Sequence, residues 1–191
     1  GNLFDLSSYM IRDPLDGKLH PLALNIDAIT ISVNQFTKSN GEAVMGRGCA
    51  KEAAARWPEI KRVLGDFNNN SPENLNYWQP SGGLPIILFP VKPKSVICNK
   101  SKSNVVSHMQ SKFKPGHTVP GWAATASIGM IEKFAVKLVE LTNRMGWQTV
   151  VIPRLGAGAG ELPWAQVDRL LQVYLDHRFY AITFAPRRQE N

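Results

Sequence analysis

The sequence predicts an α/β fold with a mostly parallel sheet and helices on both of its faces. Four segments, at residues 28–33, 85–90, 148–153 and 180–185, are rich in β-branched and other apolar residues and have the length of strands. Segments with the apolar spacing of helices separate them along the chain. Strands that alternate with helices form parallel sheets with right-handed crossovers, so we expect an α/β domain.

The helices are predicted from apolar residues that recur every three or four positions. The first begins near Cys49, and Pro58 interrupts it before the apolar face resumes. The next ends near residues 143–146, and the last precedes the final strand. The apolar positions that define these helices are Ala53, Ala54, Trp57, Ile60, Val63 and Leu64, then Ile128, Ile131, Phe134, Leu138 and Leu141, and finally Trp164, Val167, Leu170, Leu171, Tyr174 and Leu175.

Length and composition indicate one domain, residues 1–191, with a full hydrophobic core. Hydrophobic residues make up 43% of the chain, yet no apolar run approaches the roughly 20 residues needed to cross a bilayer. The first residues lack the basic and apolar regions of an export signal. The two cysteines, Cys49 and Cys98, lack the spacing of a disulfide framework or a zinc site. We therefore expect a cytoplasmic monomer with reduced thiols, no membrane partner, no metal and no cofactor.

The positive charge is concentrated in one part of the chain. The net charge is +7, and no Asp or Glu occurs between residues 74 and 131. A long basic loop is predicted there, inserted at about residues 95–121. We expect it to attract nucleic acid over the stretch from Lys92 to Lys114; the alternative is a solvated surface segment. The cationic and titratable residues of the stretch are Lys92, Lys94, Lys100, Lys102, His108, Lys112, Lys114 and His117.

Two glycine-rich segments follow predicted strands and precede predicted helices. We name residues 44–49 the first glycine loop and residues 155–161 the second glycine loop. Glycines at such points let backbone N–H groups approach a phosphate, and a helix N-terminus adds partial positive charge. Neither loop has the Walker A pattern or a GxGxxG followed by a suitably spaced acid. A diphosphate ligand is expected, although each loop alone is equally consistent with a tight turn.

The residues around these loops resemble macrodomains. VNQF and NGEAVMGRGCAKEAAARWP are similar to the first ribose and phosphate loop of that family, and VIPRLGAGAGELPW is similar to its second phosphate loop. The resemblance covers most of residues 28–185 and implies a three-layer α/β/α fold with a mixed, mostly parallel central sheet. It implies ADP-ribose as the ligand. The binding residues implied in the loops and strand ends are Asn34, Val44, Met45, Gly46, Arg47, Gly48, Cys49, Gly156, Ala157, Gly158, Ala159, Gly160 and Glu161, with Phe184 as a candidate for stacking on adenine.

The motif FPVK at residues 89–92 narrows the resemblance. It is similar to the strand end that carries the essential lysine in the macrodomain branch of terminal ADP-ribose protein glycohydrolase and the DNA ADP-ribosyl glycohydrolase antitoxins. By that resemblance Lys92 is the catalytic residue. Desolvation and Lys94 would both disfavour its ammonium form, leaving an amine to attack C1″ of the ADP-ribosyl group. Alternatively, a charged Lys92 would stabilise the departing group.

Two positions depart from the family pattern. Gly160 stands where the protein glycohydrolase has an acidic residue, and Glu161 comes one position later. The DNA-directed antitoxins resemble this chain in having glycine at that position. The GNLF segment resembles the turn that contacts adenine, so Asn2 and Leu3 are binding candidates, but Asn2 replaces the usual Asp.

An ADP-ribosyl hydrolase that removes ADP-ribose from a modified macromolecule, with DNA as a candidate, is the leading functional prediction. Two alternatives within the resemblance are a non-catalytic ADP-ribose-binding module and an ADP-ribose 1″-phosphate phosphatase. The phosphatase would need a His or Asp near the distal phosphate, which neither glycine loop offers. A plain nucleic-acid-binding protein is a further alternative, which predicts salt-sensitive binding with no effect of ADP-ribose.

Overall fold

The computed structural model describes residues 3–5, 9–12, 19–21 and 25–184, with the backbone alone in 9–12, 19–21 and 183–184. The strands in chain order are β1 Tyr9–Arg12, β2 Leu19–Pro21, β3 Ala28–Asn34, β4 Asn76–Trp78, β5 Ile86–Lys92, β6 Ser95–Ile97, β7 Thr118–Pro120, β8 Val150–Ile152, β9 Phe179–Ala181 and β10 Thr183–Phe184. The α-helices are α1 Gly48–Arg56, α2 Ile60–Asn70, α3 Ile128–Met145 and α4 Trp164–Tyr174, and short 3-10 helices span Ser107–Lys112 and Gly121–Ala123.

The central sheet has five strands in the order β4-β5-β3-β8-β9. β5, β3, β8 and β9 run parallel, and β4 is an antiparallel edge strand. The predicted mixed, mostly parallel sheet is therefore confirmed.

The last predicted strand, residues 180–185, is divided between two sheets, so the prediction of one continuous strand is wrong. β9 pairs with β8 in parallel, whereas β10 pairs antiparallel with β1 in a separate sheet of order β10-β1-β2. Between them, the N–H of Ile182 donates to the carbonyl of Ile152 at 3.0 Å. The short apolar run carries no local signal for this change of partner.

Two apolar clusters cover the two faces of the sheet. Ile31 of β3 belongs to a cluster with residues of α1 and α2, whereas Phe89 of β5 packs in a second cluster with α3 and α4. Every residue of β5 is buried, as expected for an apolar strand covered on both faces. The sheet therefore forms the middle of three layers. The helices packed on its two faces hold in place the edge at which the parallel strands end.

Helix α3 is anchored beside the end of β5. The N–H of Ser127 donates to the carbonyl of Val91 at 2.8 Å, and the Ser127 side chain accepts from the N–H of Met130 at 3.3 Å. Gly146 ends the helix in a left-handed conformation at φ 68°, the role for which glycine is favoured. These contacts hold the backbone next to Lys92.

The inserted segment, residues 95–121, contains regular structure, and its prediction as a long loop is wrong in this respect. β6 and β7 pair antiparallel, and the 3-10 helix Ser107–Lys112 lies between them along the chain. Its apolar residues have neither strand nor helix periodicity, so the sequence pattern did not reveal them. Together with Ala123, which follows the segment, these residues form a cluster of their own: Cys98, Val105, Val106, Met109 and Val119.

Within the described ranges, no helix has the length and apolar character required to span a bilayer. The cytoplasmic location and the monomeric state stay predictions.

Candidate functional site

A pocket of about 660 Å³ lies beyond the carboxyl ends of β3, β5 and β8. Asn34 ends β3, Lys92 ends β5 and Pro153 follows β8, and all three line the pocket. Parallel sheets bind ligands at this edge, and the volume falls within the roughly 300–1,000 Å³ of small-molecule sites. The other lining residues are Leu3, Ser32, Val33, Val44, Gly46, Arg47, Gly48, Cys49, Ala50, Glu52, Val91, His108, Trp122, Arg154, Gly156, Ala157, Gly158, Ala159, Gly160 and Trp164.

The first glycine loop is held by the Asn34 side chain. Its Nδ2 donates to the carbonyl of Val44 at 2.8 Å, and its Oδ1 accepts from the N–H of Phe36 at 3.1 Å. Part of the hydrogen-bonding capacity of the Asn34 side chain is therefore used to fix the loop. A register shift between Val33 and Asn34 at the end of β3 accompanies this arrangement.

The start of α1 forms the pocket wall after this loop. Gly48 begins the helix at φ 55°, and no side chain among the described residues caps its N-terminus. Its first N–H groups therefore remain available for an anion. Cys49 accepts from the N–H of Ser32 at 3.3 Å, and burial raises the pKa of its thiol to about 11, so the sulfur stays protonated.

The second glycine loop is packed tightly against residues before α3. Gly156 has φ 69°, and the carbonyl of Gly160 accepts from the N–H of Ala126 at 2.8 Å. A Cβ added to Gly160 would lie 2.4 Å from the carbonyl oxygen of Gly156 and 2.6 Å from the Cβ of Ala126. An acidic side chain at this position is therefore incompatible with the backbone as it stands.

Lys92 lies between the two glycine loops with only 7% of its surface exposed. Its Nζ donates to the carbonyl of Ala159 at 2.8 Å. Desolvation lowers the pKa of Lys92 to about 8; the negative charge of Glu161 opposes this shift, and the positive charge of Arg47 adds to it. The desolvation of Lys92 that the sequence predicts is therefore present. The neighbouring cation that lowers its pKa is Arg47 and not the predicted Lys94, which is exposed.

Glu161 turns away from the pocket toward the inserted segment. Its carboxylate accepts from the Ser107 N–H at 3.0 Å with each oxygen and from the Ser107 hydroxyl at 2.7 Å. Desolvation opposes ionisation of Glu161, but these hydrogen bonds and the charges of His108 and Lys92 outweigh it and lower its pKa. Glu161 is not among the residues that line the pocket, and its carboxylate has Ser107 as a partner, so its predicted contact with ADP-ribose stays a prediction.

The other predicted binding residues differ in where they lie. The side chain of Met45 is buried at 5% exposure in the cluster beneath α1, and Met45 is not among the lining residues, so its predicted contact with ligand stays a prediction. Asn2 lies outside the described residues, as does the side chain of Phe184. The remaining predicted residues, Leu3, Asn34, Val44, Gly46, Arg47, Gly48, Cys49, Lys92, Gly156, Ala157, Gly158, Ala159 and Gly160, line the pocket.

Several lining residues were missed by the sequence prediction. His108 and Trp122 reach the pocket from the inserted segment and the residue after it, and no local pattern announces that contact. Arg154 could have been found, because it stands between β8 and the second glycine loop. Its guanidinium lies 5.8 Å from the ring centre of Trp164, which begins α4.

Glu52 of α1 also lines the pocket, and it accepts from the N–H of Leu3 at 2.8 Å. The described residues contain no cluster of three or more metal-ligating side chains.

No family model matches the sequence, and neither does any curated protein. Solved structures match its fold. The macrodomain of Mycobacterium tuberculosis DarG has a TM-score of 0.55 and 21% identity, covering 80% of this chain and 83% of that one. The macrodomain of Thermus aquaticus DarG has a TM-score of 0.55 and 19% identity, with coverage of 80% and 83%.

The chain has the macrodomain fold. A further match is Thermosipho africanus DarTG in complex with ADP-ribose, with a TM-score of 0.56 and 20% identity over 78% of this chain and 35% of that one. At these identities the agreement concerns the fold. The macrodomain fold expected from the two glycine loops is thus confirmed, and its pocket lies where those loops meet.

Proposed function

We propose that this macrodomain is an ADP-ribosyl hydrolase that holds ADP-ribose between its two glycine loops and releases it from a modified macromolecule. The pocket volume suits such a ligand, and the glycine loops with the start of α1 offer N–H groups to a diphosphate. The ADP-ribose complex of the similar Thermosipho DarTG supports the choice of ligand. Binding alone would make a recognition module, so hydrolysis needs a separate argument.

Lys92 is the observation that supports hydrolysis. A lysine with a pKa of about 8 is about half neutral at pH 8 and about one-tenth neutral at pH 7, unlike an ordinary surface lysine. It lies in the pocket at the end of β5, where a nucleophile can meet the distal ribose. Since desolvation favours the neutral amine, the same burial that costs stability produces the reactive form.

The reaction that follows is a double displacement at C1″. The Lys92 amine donates its lone pair to C1″, the bond from C1″ to the acceptor breaks, and the acceptor leaves with that electron pair and a proton. The nitrogen lone pair of the resulting glycosylamine then forms a double bond to C1″ as the bond from C1″ to the ring oxygen O4″ breaks, and O4″ takes a proton from water, which leaves an iminium on Nζ and a hydroxide. The hydroxide adds to C1″, its proton passes to Nζ as the bond from C1″ to Nζ breaks, and the neutral amine and an open-chain aldehyde result. The O4″ hydroxyl closes the ring on C1″, its proton passes to the C1″ oxygen, and free ADP-ribose is formed.

A modified DNA is the acceptor that the charge distribution favours. The inserted segment contributes His108 to the pocket and carries exposed lysines, among them Lys100, Lys112 and Lys114. Phosphate contacts from these lysines would bring a strand to the pocket mouth and make turnover fall steeply with salt.

A phosphatase acting on ADP-ribose 1″-phosphate is the second candidate. His108 favours it, because the pocket contains a histidine that the glycine loops alone do not supply. The assay therefore includes this substrate beside the ADP-ribosylated macromolecules.

The test compares wild type with Lys92→Ala and Lys92→Arg on ADP-ribosylated DNA, ADP-ribosylated protein and ADP-ribose 1″-phosphate, measuring released ADP-ribose. Lys137→Ala is the control, since it removes a lysine of α3 that lies outside the pocket lining. We expect both Lys92 variants to lose release by at least about 100-fold while free ADP-ribose still binds in calorimetry.

The pH profile and a reductive trap complete the test. Release should rise with pH and level off above about pH 8, because deprotonation creates the nucleophile. Cyanoborohydride should attach ADP-ribose to wild type and not to Lys92→Arg. Binding without release from any substrate would leave a recognition module, and phosphate release alone would favour the phosphatase.

A further inference from the structure

We infer that Glu161 is a positioning residue that fastens the inserted segment over Lys92, so that His108 and Trp122 form the wall of the pocket that selects the acceptor. The inference rests on the proposed hydrolase function. It gives Glu161 a role in acceptor selection that does not involve contact with ADP-ribose.

The contact between Glu161 and Ser107 joins parts of the chain that are 54 residues apart. Three hydrogen bonds form it: both carboxylate oxygens accept from the Ser107 N–H at 3.0 Å, and one accepts from its hydroxyl at 2.7 Å. Hydrogen bonds to an ionised carboxylate are stronger than neutral ones. This contact, the clasp, links the second glycine loop to the start of the 3-10 helix Ser107–Lys112.

The backbone at Glu161 is held in an unusual conformation. Its φ is 62°, in the left-handed region that a non-glycine side chain adopts at a cost. The N–H of Glu161 donates to the carbonyl of Gly158 at 3.0 Å, within the same loop. This conformation directs the side chain to Ser107, so the loop is shaped for the clasp as well as for the ligand.

Backbone contacts link Ser107 to the turn that carries Trp122. The N–H of Val106 donates to the carbonyl of Ala123 at 2.9 Å, which connects the residue before Ser107 to the turn that carries Trp122. At Gly121 an added Cβ would lie 1.7 Å from the carbonyl oxygen of Pro93, so this turn packs directly on the backbone that follows Lys92. Moving Ser107 would therefore move both lining residues.

His108 and Trp122 are suited to an acceptor rather than to ADP-ribose phosphates. Trp122 is 36% exposed although it is large and apolar, and it lines the pocket with His108 and Lys92. An indole offers a flat face on which a planar acceptor stacks, and a histidine offers hydrogen bonds to its polar edge. Neither residue belongs to the loops that surround the expected diphosphate.

Glu161 also acts on Lys92 through its charge. Its carboxylate raises the pKa of Lys92, against the larger effect of desolvation, while Arg47 lowers it. The other charged or titratable groups that line the pocket are His108, Glu52, Arg154 and the Cys49 thiol. Removing the Glu161 charge should therefore lower the pKa of Lys92 further and shift the pH profile of release below about 8.

The test uses Glu161→Gln, Ser107→Ala and Trp122→Ala, with Glu140→Gln as the matched control on the exposed side of α3. All three variants should bind free ADP-ribose within about 3-fold of wild type, yet release it from the ADP-ribosylated macromolecule at least about 10-fold less efficiently, mainly through a higher KM. Glu161→Gln should in addition shift the pH midpoint downward. Ser107→Ala should not, because it leaves the carboxylate charge in place.

Hydrogen exchange separates the clasp from the chemistry. The Ser107 amide should exchange faster in a Glu161→Ala variant than in wild type, whether or not the protein turns over substrate; unchanged exchange would overturn the clasp. Wild type that releases no ADP-ribose would refute the proposed function instead. Wild-type kinetics in Glu161→Gln, Ser107→Ala and Trp122→Ala, measured on an active protein, would overturn the role in acceptor selection.

Discussion

The two glycine loops contain the same residue type for different physical reasons. In the first loop, an added Cβ at Gly46 would meet no atom of the described residues within 4 Å. In the second loop, a Cβ at Gly156 would lie 2.9 Å from the Ile131 side chain, and one at Gly160 would lie 2.4 Å from a backbone carbonyl. Packing therefore does not require glycine at Gly46, whereas it does at Gly156, which packs on α3, and at Gly160, which packs on the residue Ala126 before α3.

Gly158 lies within the second loop but has the open surroundings of Gly46. A Cβ there would also meet no atom of the described part of the chain within 4 Å, and both glycines line the pocket. Within the second loop, glycines that packing requires therefore alternate with one that is open to the pocket. Substitutions can separate the two functions.

Gly160→Asp should have the largest effect. Its Cβ would collide with the Gly156 carbonyl and the Ala126 side chain, and the backbone has little room to shift because Ala126 is hydrogen-bonded to Gly160. We expect the free energy of unfolding to fall by about 3 kcal/mol or more, as for severe overpacking. Urea denaturation measures this, with Gly158→Ala as the control that stays within about 0.5 kcal/mol of wild type. Equal stability of the two variants would remove the distinction between packed and open glycines.

Gly158→Val should abolish ligand binding while leaving the fold intact. A Cβ at Gly158 would meet no described atom within 4 Å and Gly158 lines the pocket, so we expect the valine side chain to occupy space that the ligand needs. We expect ADP-ribose to bind at least about 100-fold more weakly, or about 2.7 kcal/mol, with an unchanged melting temperature. Calorimetry and thermal unfolding on the same samples measure the two effects. Retained affinity would mean that the ligand does not pass Gly158.

The sequence predicts the strands and glycine loops because their signals are local. Apolar runs mark β3, β5 and β8, and glycine after a strand marks the sheet edge where Lys92 lies. Contacts between distant segments have no such signal. The Glu161 to Ser107 clasp joins residues 54 apart, so the sequence assigns Glu161 to the ligand surface by its place in the motif alone.

The packing of the inserted segment and of Met45 also has no local signal in the sequence. Apolar residues in the segment are dispersed among lysines and serines, so composition predicts a long basic loop, yet they pack together at no regular spacing. Met45 lies inside a ligand-loop motif, and only the turn of the backbone decides that it points into the core. Motifs fix which segments form the site, and packing decides which side chains face it.

Asn34→Ala should loosen the first loop by a moderate amount. It removes the bond to the Val44 carbonyl and the bond from the Phe36 N–H, so we expect a loss of about 1–2 kcal/mol in unfolding free energy. Asn34→Asp keeps the acceptor for Phe36 and loses the donor to Val44, and it should fall between wild type and Ala. Chemical denaturation of the three proteins measures the order. A stability of Asn34→Asp below that of Asn34→Ala would show that repulsion between carboxylate and carbonyl dominates.

Gly48→Ala should have the smallest effect of the series, since its constraint is conformational. An added Cβ at Gly48 would meet no described atom within 4 Å, so there is no steric cost. Because φ is 55°, alanine would have to adopt the left-handed region, which should lower the free energy of unfolding by about 1 kcal/mol. Gly48→Asn should cost less, because asparagine tolerates this region better than alanine. Denaturant midpoints of the two variants measure the difference. If alanine is tolerated as well as asparagine, backbone conformation does not require glycine at this position. Ligand access would then be the reason for glycine at Gly48, as it would be at Gly46.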